Sequence, residues 1–560
     1  MHLVPSQSRQ DFAVFALAVV AYVNTIPNEL VFDDLLLITE QSSVRSAFNW
    51  REIWFGRYWG EIWPHNVLYR PLTIWSIALN YSFNGLLGLS CSHTAGYHVV
   101  NLLLHAAVST LVLRLGIALC IPSFASFAAA LIFAVHPIHT EAVAAVTGRT
   151  ELLAAGFGIG FILAHDHRHT ALAAVLFALA LFSKESAIAF LPVALLCVFP
   201  KDRARRDIMA FGLYGLVTVA WFALRASVVS GIVIPLDTLP LAESPTYVRI
   251  LTALRVQVRY LGLQVAPVGL SSDYSMNQIP TVTTLLDPHI VIALCLGAGA
   301  AAIIVKTWRV SAIPTILILG YTITFLPTSN ILLPIGTIMG ERLAYTPSIF
   351  VCLGLGYAFD ALRKMVSGYA VALLAALLVV FVWGTVDRNA TWADPYTFSI
   401  TQLKTAPNSA KANYNAGREH HIAGDVAKAV ELYCRALEIK PAYADALNNL
   451  GVAKRWQGAL YEAVGYFKNA IYLAPGLASA HYNLGQTLRD MGDESGAMTS
   501  YRKALEIHPG YAEAANNLAL IFVRQGDLDR ARKLWERALQ IRPDYTMARE
   551  NLKRLDTVRN

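Results

Sequence analysis

Two adjacent carboxylates, Asp33 and Asp34, stand in the stretch Leu30-Val31-Phe32-Asp33-Asp34, directly after an apolar run. Neighbouring carboxylates repel, so one of them can hold its proton more tightly than usual. A carboxylate so placed can take a proton from an acceptor hydroxyl or bind a cation; a solvated pair at a helix start is the plainer reading. A second cluster reads His136-Pro137-Ile138-His139-Thr140-Glu141, followed by Arg149-Thr150-Glu151. The two histidines stand three apart, as metal ligands on one helical turn do. Pro137 disturbs that geometry and no carboxylate follows at ligand spacing, so no metal site is read. Ser183-Lys184-Glu185-Ser186 and Glu341-Arg342 complete the set. These clusters can neutralise themselves as ion pairs, or their cations can hold a phosphate.

The elements that carry these residues belong to a membrane. The chain has 560 residues, is 55% hydrophobic and only 15% charged, where a soluble domain carries roughly 25% charge. Residues 1–400 contain 44 charged side chains (11%) and residues 401–560 contain 39 (24%), so a membrane part precedes a soluble one. The net charge of +7 divides into +2 and +5 and is not clustered with aromatics, which argues against nucleic-acid binding. Six scattered cysteines without CxxC spacing set neither a disulfide framework nor a zinc site and read as buried apolar residues.

Apolar runs predict about eleven spans: 12–26, 97–119, 124–146, 150–165, 171–184, 186–200, 208–230, 286–305, 311–333, 340–361 and 368–386. Those between 150 and 200 are short for a crossing of roughly 20 residues. The first reads as a signal anchor. The segments 70–88 and 247–266 read as interfacial helices, and the dense aromatics of 48–97 as a belt or as the lining of a sugar or isoprenoid channel. Basic connections at Arg168, Lys201-Asp202-Arg203-Ala204-Arg205-Arg206, Lys306 with Arg309, and Arg363-Lys364 fall on the cytoplasmic side. The same parity brings Asp33-Asp34, Glu141, Arg149, Lys184 and Glu341-Arg342 to the opposite face. Ionisable groups at membrane level cost about 2.5–3.5 kcal/mol each even by lenient scales, and simple structural pairing does not require them all to share one face.

Beyond a linker at 391–407, Pro407, Pro441, Pro475, Pro509 and Pro543 recur every 34 residues. Gly417, Gly451 and Gly485, and Gly424, Gly458, Gly492 and Gly526, keep the same step. This is the tetratricopeptide period. About four repeats and a capping helix fill 408–556. Such arrays bind segments of other chains, and Asn448-Asn449 and Asn516-Asn517 are candidates to hold a peptide backbone. The fold class is therefore all-α, a polytopic helical bundle over 1–390 followed by an α-solenoid.

The motifs resemble a known family. Val31-Phe32-Asp33-Asp34, Tyr69-Arg70-Pro71-Leu72-Thr73, Tyr97-His98-Val99-Val100-Asn101 and Ala134-Val135-His136-Pro137-Ile138-His139-Thr140-Glu141-Ala142-Val143 look like the transmembrane and tetratricopeptide-repeat-containing O-mannosyltransferases, which have the C-type glycosyltransferase fold. So do Gly148-Arg149-Thr150-Glu151, Ser183-Lys184-Glu185, Leu270-Ser271-Ser272-Asp273-Tyr274-Ser275 and Glu341-Arg342-Leu343-Ala344-Tyr345. The resemblance covers nearly the whole chain, although this array is shorter than those of animal members.

The resemblance implies transfer of mannose from a polyprenyl-phosphate donor lipid to Ser or Thr of a protein acceptor, outside the cytoplasm. It maps the base onto Asp33 or Asp34, with Asp33 preferred. Arg149, Lys184 and Arg342 would steady the leaving phosphate, helped by His136 and His139. Arg70, Glu141, Glu151, Glu185, Asp273 and Glu341 would complete the substrate site. The resemblance points to no cofactor besides the donor lipid and leaves any divalent-metal requirement open. A bacterial inner membrane with periplasmic repeats is preferred to an endoplasmic-reticulum membrane with luminal repeats. The competing functions are a membrane-anchored scaffold, for which one span would suffice, and a transporter, for which inverted internal repeats would be expected.

Overall fold

The computed structural model describes residues 6–559 apart from 61, 64–66, 91, 199–203, 230–240, 242–243 and 276–277. The basic residues Lys201 and Arg203 lie outside the described residues. The chain divides into two compact units, Met1–Thr401 and Gln402–Asn560, and its described elements are all helices.

In the first unit each apolar run of the sequence contains a helix among the described residues, but the helices differ in length from the expected spans. Among the described residues six helices are long and apolar enough to cross a membrane: Ala95–Ala118, Val146–Asp166, Ile208–Val229, Pro288–Thr307, Glu341–Met365 and Ser367–Ala390. Ser123–Ala134 with Pro137–Ala144 forms a pair bent by 49°, and Thr170–Ser183, Glu185–Cys197 and Ile313–Thr328 are shorter apolar helices. Against the about eleven spans expected from the apolar runs, the described residues hold six helices of spanning length, or seven if the bent pair is one span. Polar residues and proline interrupt the apolar runs, and the backbone leaves the helix at His136 and Lys184, where φ and ψ are extended. The segments 70–88 and 247–266 are helical as Pro71–Leu86 and Thr246–Val265.

Pro288–Thr307 and Ile208–Val229 show the solvent they are built for. They leave Ile292, Leu294, Leu296, Leu216 and Val219 exposed, an apolar surface that suits lipid rather than water. The inner helices pack closely because small residues face one another. A Cβ at Gly356 would lie 2.2 Å from the carbonyl of Ala125 and one at Gly116 would lie 2.7 Å from Ser126 Oγ, so these glycines let helix backbones approach. Cys197 and Cys352 are buried as expected, whereas Cys120 and Cys295 lie on the surface.

The expected linker spans 391–407. It holds the helix Pro395–Thr405, and Trp392 and Phe398 are buried with Val31, Ala144 and Ala145.

The second unit is four helix pairs from Ala410–Ile422 to Leu528–Ile541, closed by Thr546–Arg559. Gly417, Gly451 and Gly485 recur because the rings of Tyr433, Phe467 and Tyr501 occupy the space a Cβ would need, at 2.7–2.8 Å. Gly424, Gly458, Gly492 and Gly526 recur because the turn between the paired helices runs at φ of +77° to +86°, which glycine adopts without strain. The asparagines proposed to hold a peptide are occupied within the array. Asn449 donates to Tyr414 at 3.1 Å, Asn483 to Asn448 at 2.9 Å, Asn517 to Tyr482 at 3.3 Å and Asn551 to Asn516 at 3.1 Å. They form a ladder that ties one repeat to the next.

Candidate functional site

The chemistry-bearing residues stand at helix breaks. Asp33 and Asp34 open the helix Asp33–Thr39, where carboxylates suit the partial positive charge of a helix start. Glu141 lies in the short helix Thr140–Ala144, after the bend at Pro137. Arg149 and Glu151 begin Arg149–Asp166. Lys184 separates two apolar helices, held there by a hydrogen bond from Thr73 Oγ1 to the Ser183 carbonyl at 3.1 Å. Glu341 and Arg342 sit in the 3-10 turn Glu341–Ala344, before Tyr345–Met365.

Several of these residues meet. Arg342 Nη1 is 3.8 Å from Asp33 Oδ2, and its Nε is 3.6 Å from Glu141 Oε1. The Arg342 amide donates to Glu141 Oε2 at 3.0 Å. Lys184 is paired with Glu151. Arg70 Nε lies 2.9 Å from Glu185 Oε2, and Glu185 Oε1 accepts from the Tyr69 amide at 2.9 Å. Glu151, Lys184, Ser186, Thr328, Leu343 and Thr346 are among the residues that line a small cleft. The charges of Glu141, Asp33 and Glu151 all act on Arg342. Asp33, Glu141, Arg342, Lys184 and Glu151 therefore form one polar site with a cleft beside it. Within it the Arg342 side chain is 36% exposed and that of Lys184 only 6%, so Arg342 is the cation open to an incoming anion.

Other expected site residues have different work. Asp34 is buried and its two oxygens accept from the amides of Val146 at 2.7 Å and Thr147 at 2.8 Å. Arg149 is wholly enclosed. Its Nε donates to Asn101 Oδ1 at 2.8 Å, Nη1 to Asn80 Oδ1 at 2.7 Å and to the Ser76 carbonyl at 3.0 Å, and Nη2 to the Tyr97 carbonyl at 3.0 Å. It clamps three segments and has no face left for a phosphate.

His136 binds the Gln264 carbonyl at 2.8 Å and accepts from the Ile138 amide. His139 binds the Phe133 carbonyl at 3.0 Å and Ser348 at 2.8 Å. Both are fully buried and brace the bend instead of helping at a phosphate. Glu341 accepts from the Ser271 amide, Tyr274 and Arg388, each at 2.6 Å. Asp273 accepts from the Ser275 amide at 3.0 Å and shapes that same loop. Among the described residues no group of three or more His, Cys, Asp or Glu is arranged to hold a metal ion.

Sequence reasoning missed Asn80, Asn101, Tyr274 and Arg388 as parts of this network. Tyr274 and Asn101 lie inside the quoted motifs, whereas Asn80 and Arg388 become legible only once the helices are packed.

The backbone holds Asp33 firmly. Phe32 adopts φ 55° and ψ −118°, a conformation that costs a bulky residue about 1–3 kcal/mol. Anchors on both sides maintain it. The Glu29 amide donates to the Ala393 carbonyl at 2.8 Å, the Phe32 ring stacks on Phe398 at 6.0 Å, and Asp34 grips residues 146 and 147.

Burial pushes the Asp34 carboxyl up to about 6, with the amides of Thr147 and Val146 pulling the other way. The unfolded chain releases this proton near pH 4, so folding takes up a proton between about pH 4 and 6, and Asp34's contribution to stability falls as pH rises through that window. Relative to Asp34→Asn, the parent protein should lose on the order of 3 kcal/mol across it. Thermal unfolding of both proteins in detergent at each pH checks this.

A helical membrane unit with a polar site at its helix breaks, joined to a tetratricopeptide array, defines a polytopic membrane protein with a repeat module. Residues 237–301 match the family described as Protein O-mannosyl-transferase TMTC, DUF1736, and residues 417–458, 444–474 and 482–546 match tetratricopeptide repeat families. The chain is 28% identical to protein O-mannosyl-transferase F38B6.6 of Caenorhabditis elegans, over 78% of this chain and 63% of that protein. It is 27% identical to protein O-mannosyl-transferase TMTC3 of Mus musculus, over 76% and 51% of the two chains. The chain thus spans between half and two thirds of the length of these relatives. Among solved structures, a crystal structure of MamA is similar at 26% identity and a TM-score of 0.24, covering 26% of this chain and 84% of that one. In the DUF1736 match, the repeats and the relatives alike, this chain is similar to the transmembrane and tetratricopeptide-repeat O-mannosyltransferases.

Proposed function

We propose that this chain is a multi-pass membrane glycosyltransferase that moves mannose from a polyprenyl-phosphate donor to Ser or Thr hydroxyls of proteins on the extracytoplasmic side, with the repeat array binding the acceptor or a partner protein. The observation that carries the reading is the meeting of Asp33, Glu141 and Arg342 beside a cleft that Lys184 and Glu151 line. These residues come from five separate helix breaks.

The roles follow from the charges. Asp33 takes the proton of the acceptor hydroxyl as its oxygen attacks the anomeric carbon. The bond from that carbon to the phosphate oxygen breaks, and its electron pair leaves with the polyprenyl phosphate. Arg342, the open cation, meets the charge that develops there. Glu141 fixes Arg342 through its amide and side chain. Lys184 with Glu151, and Arg70 with Glu185, set the surrounding field. A single in-line displacement of this kind inverts the anomeric centre.

The test is direct transfer. The full-length chain in lipid nanodiscs, given a radiolabelled polyprenyl-phosphate mannose and a Ser/Thr-rich protein acceptor, is expected to label the acceptor, with hexose on Ser or Thr by mass spectrometry. A folded preparation that transfers hexose from no polyprenyl-phosphate sugar would sink the proposal and favour the scaffold reading.

A further inference from the structure

The turn that carries Arg342 is held by a segment from elsewhere in the chain. Gly340, at the start of the 3-10 turn Glu341–Ala344, is extended, with φ −158° and ψ 133°. An extended residue points its amide and its carbonyl the same way, so one partner can meet both. The Tyr260 hydroxyl is that partner. It donates to the Gly340 carbonyl at 2.8 Å and accepts from the Gly340 amide at 2.9 Å. Tyr260 is 1% exposed, and its ring packs on Phe325 with centroids 4.6 Å apart.

The next residue of the turn is held from the same segment. The Tyr274 hydroxyl and the Ser271 amide both donate to the Glu341 carboxylate at 2.6 Å. Two phenols and one amide from residues 260–274 therefore grip Gly340 and Glu341, the two residues before Arg342. The helix Thr246–Val265 also reaches the other side of the site. Its Gln264 carbonyl meets His136 Nε2 at 2.8 Å, at the bend that leads to Glu141. One helix thus touches both elements whose side chains meet where Arg342 Nε lies 3.6 Å from Glu141 Oε1.

Arg342 depends on such support. Its side chain faces Asp33 at 3.8 Å and Glu141 at 3.6 Å, too far for the hydrogen bonds that fix a guanidinium. Its amide, bonded to Glu141 Oε2, ties the backbone on one side, and Tyr260 ties it on the other. A misplacement of about 1 Å at a site of this kind is costly.

We propose that Tyr260 is a positioning residue for Arg342: by holding both backbone groups of Gly340, its hydroxyl sets where the guanidinium stands toward an incoming anion. That the anion is the phosphate of the donor rests on the reading above; the placing of the turn does not.

Tyr260→Phe removes the hydroxyl and keeps the ring. In the full-length chain in nanodiscs, hydrogen–deuterium exchange over 340–344 should speed up about tenfold, with the rest of the unit unchanged. Affinity for a short-chain polyprenyl phosphate, read by tryptophan fluorescence beside the matching polyprenol, should fall roughly fivefold, and affinity for the alcohol should stay. In an Arg342→Ala background, which itself weakens phosphate binding, the same change should cost nothing more, because the hydroxyl acts through the guanidinium. Tyr274→Phe leaves Glu341 bound to the Ser271 amide and Arg388. It should give the same pattern at smaller amplitude, and it decides the question should Tyr260→Phe not fold. Unchanged exchange over 340–344, or faster exchange spread evenly over the unit, would overturn the proposal. So would a loss of phosphate affinity of the same size with and without Arg342, or no loss where Arg342→Ala shows one; in those two cases the transferase reading stands. If exchange rises locally while the parent binds the phosphate no better than the alcohol, the phosphate reading fails and the placing of the turn by Tyr260 is upheld.

Discussion

Asp33→Asn is expected to lower mannose transfer by about a thousandfold without a matching loss of stability. General-base assistance is worth 10²–10⁴-fold, and the acceptor hydroxyl is too weak a nucleophile to dispense with it. Among the described residues the Asp33 side chain makes no hydrogen bond to the backbone, and it faces Arg342 at 3.8 Å. An amide of the same shape can sit there without disturbing the helix Asp33–Thr39. Asp34→Asn should behave differently. An amide offers one acceptor oxygen where the carboxylate offers two, so one of the amides of Val146 and Thr147 is left unpaired in a buried setting, at a cost of about 1–3 kcal/mol. The two variants thus separate along two axes. Asp33→Asn should lose turnover with an unchanged unfolding midpoint, and Asp34→Asn should lose midpoint at pH 4, a deficit that closes as the parent's Asp34 ionises above pH 6. Full turnover by folded Asp33→Asn would remove the assigned base.

The adjacency of these two carboxylates shows what the sequence could reveal and what it could not. Two acids after an apolar run mark a membrane edge, and the motifs around them are specific enough to resemble a family. Which acid is buried depends on Val146 and Thr147, more than a hundred residues away, whose amides reach only Asp34. The repeat array was legible nearly in full because its period is local. Each glycine answers to a ring or a turn within its own 34 residues, as Gly417 does to Tyr433. The spans were legible as apolar runs but not as lengths. The breaks at Pro137 and Lys184 were visible as residues, whereas the 49° bend is a three-dimensional outcome. The histidines illustrate the commonest error. At three-residue spacing they invite a chemical role, but a buried bend exposes carbonyls, and His136 and His139 are there to bind those of Gln264 and Phe133.

Arg149 supplies the largest expected effect on folding. Its guanidinium joins the helix Arg149–Asp166 to Asn101 and the Tyr97 carbonyl on one neighbour and to Asn80 and the Ser76 carbonyl on another. Four acceptors in a sealed site depend on this single side chain. Arg149→Met keeps much of the volume but leaves those acceptors unpaired, and the expected loss is about 3–5 kcal/mol. Arg149→Lys keeps the charge, yet one ammonium on a flexible stem cannot reproduce a planar fork that reaches both neighbours, so it should recover only part of the loss. A phosphate-binding Arg149 would give the opposite pattern. Its methionine variant would fold well, because removing a cation with no internal partner relieves the buried site, and it would fail only in binding polyprenyl phosphate. Its lysine variant would still bind that phosphate as a point charge. Thermal unfolding of the two variants beside the parent, with polyprenyl phosphate titrated into whatever remains folded, separates the alternatives. The clamp predicts unfolding midpoints ordered parent, lysine, methionine, with phosphate affinity in the folded fraction little changed.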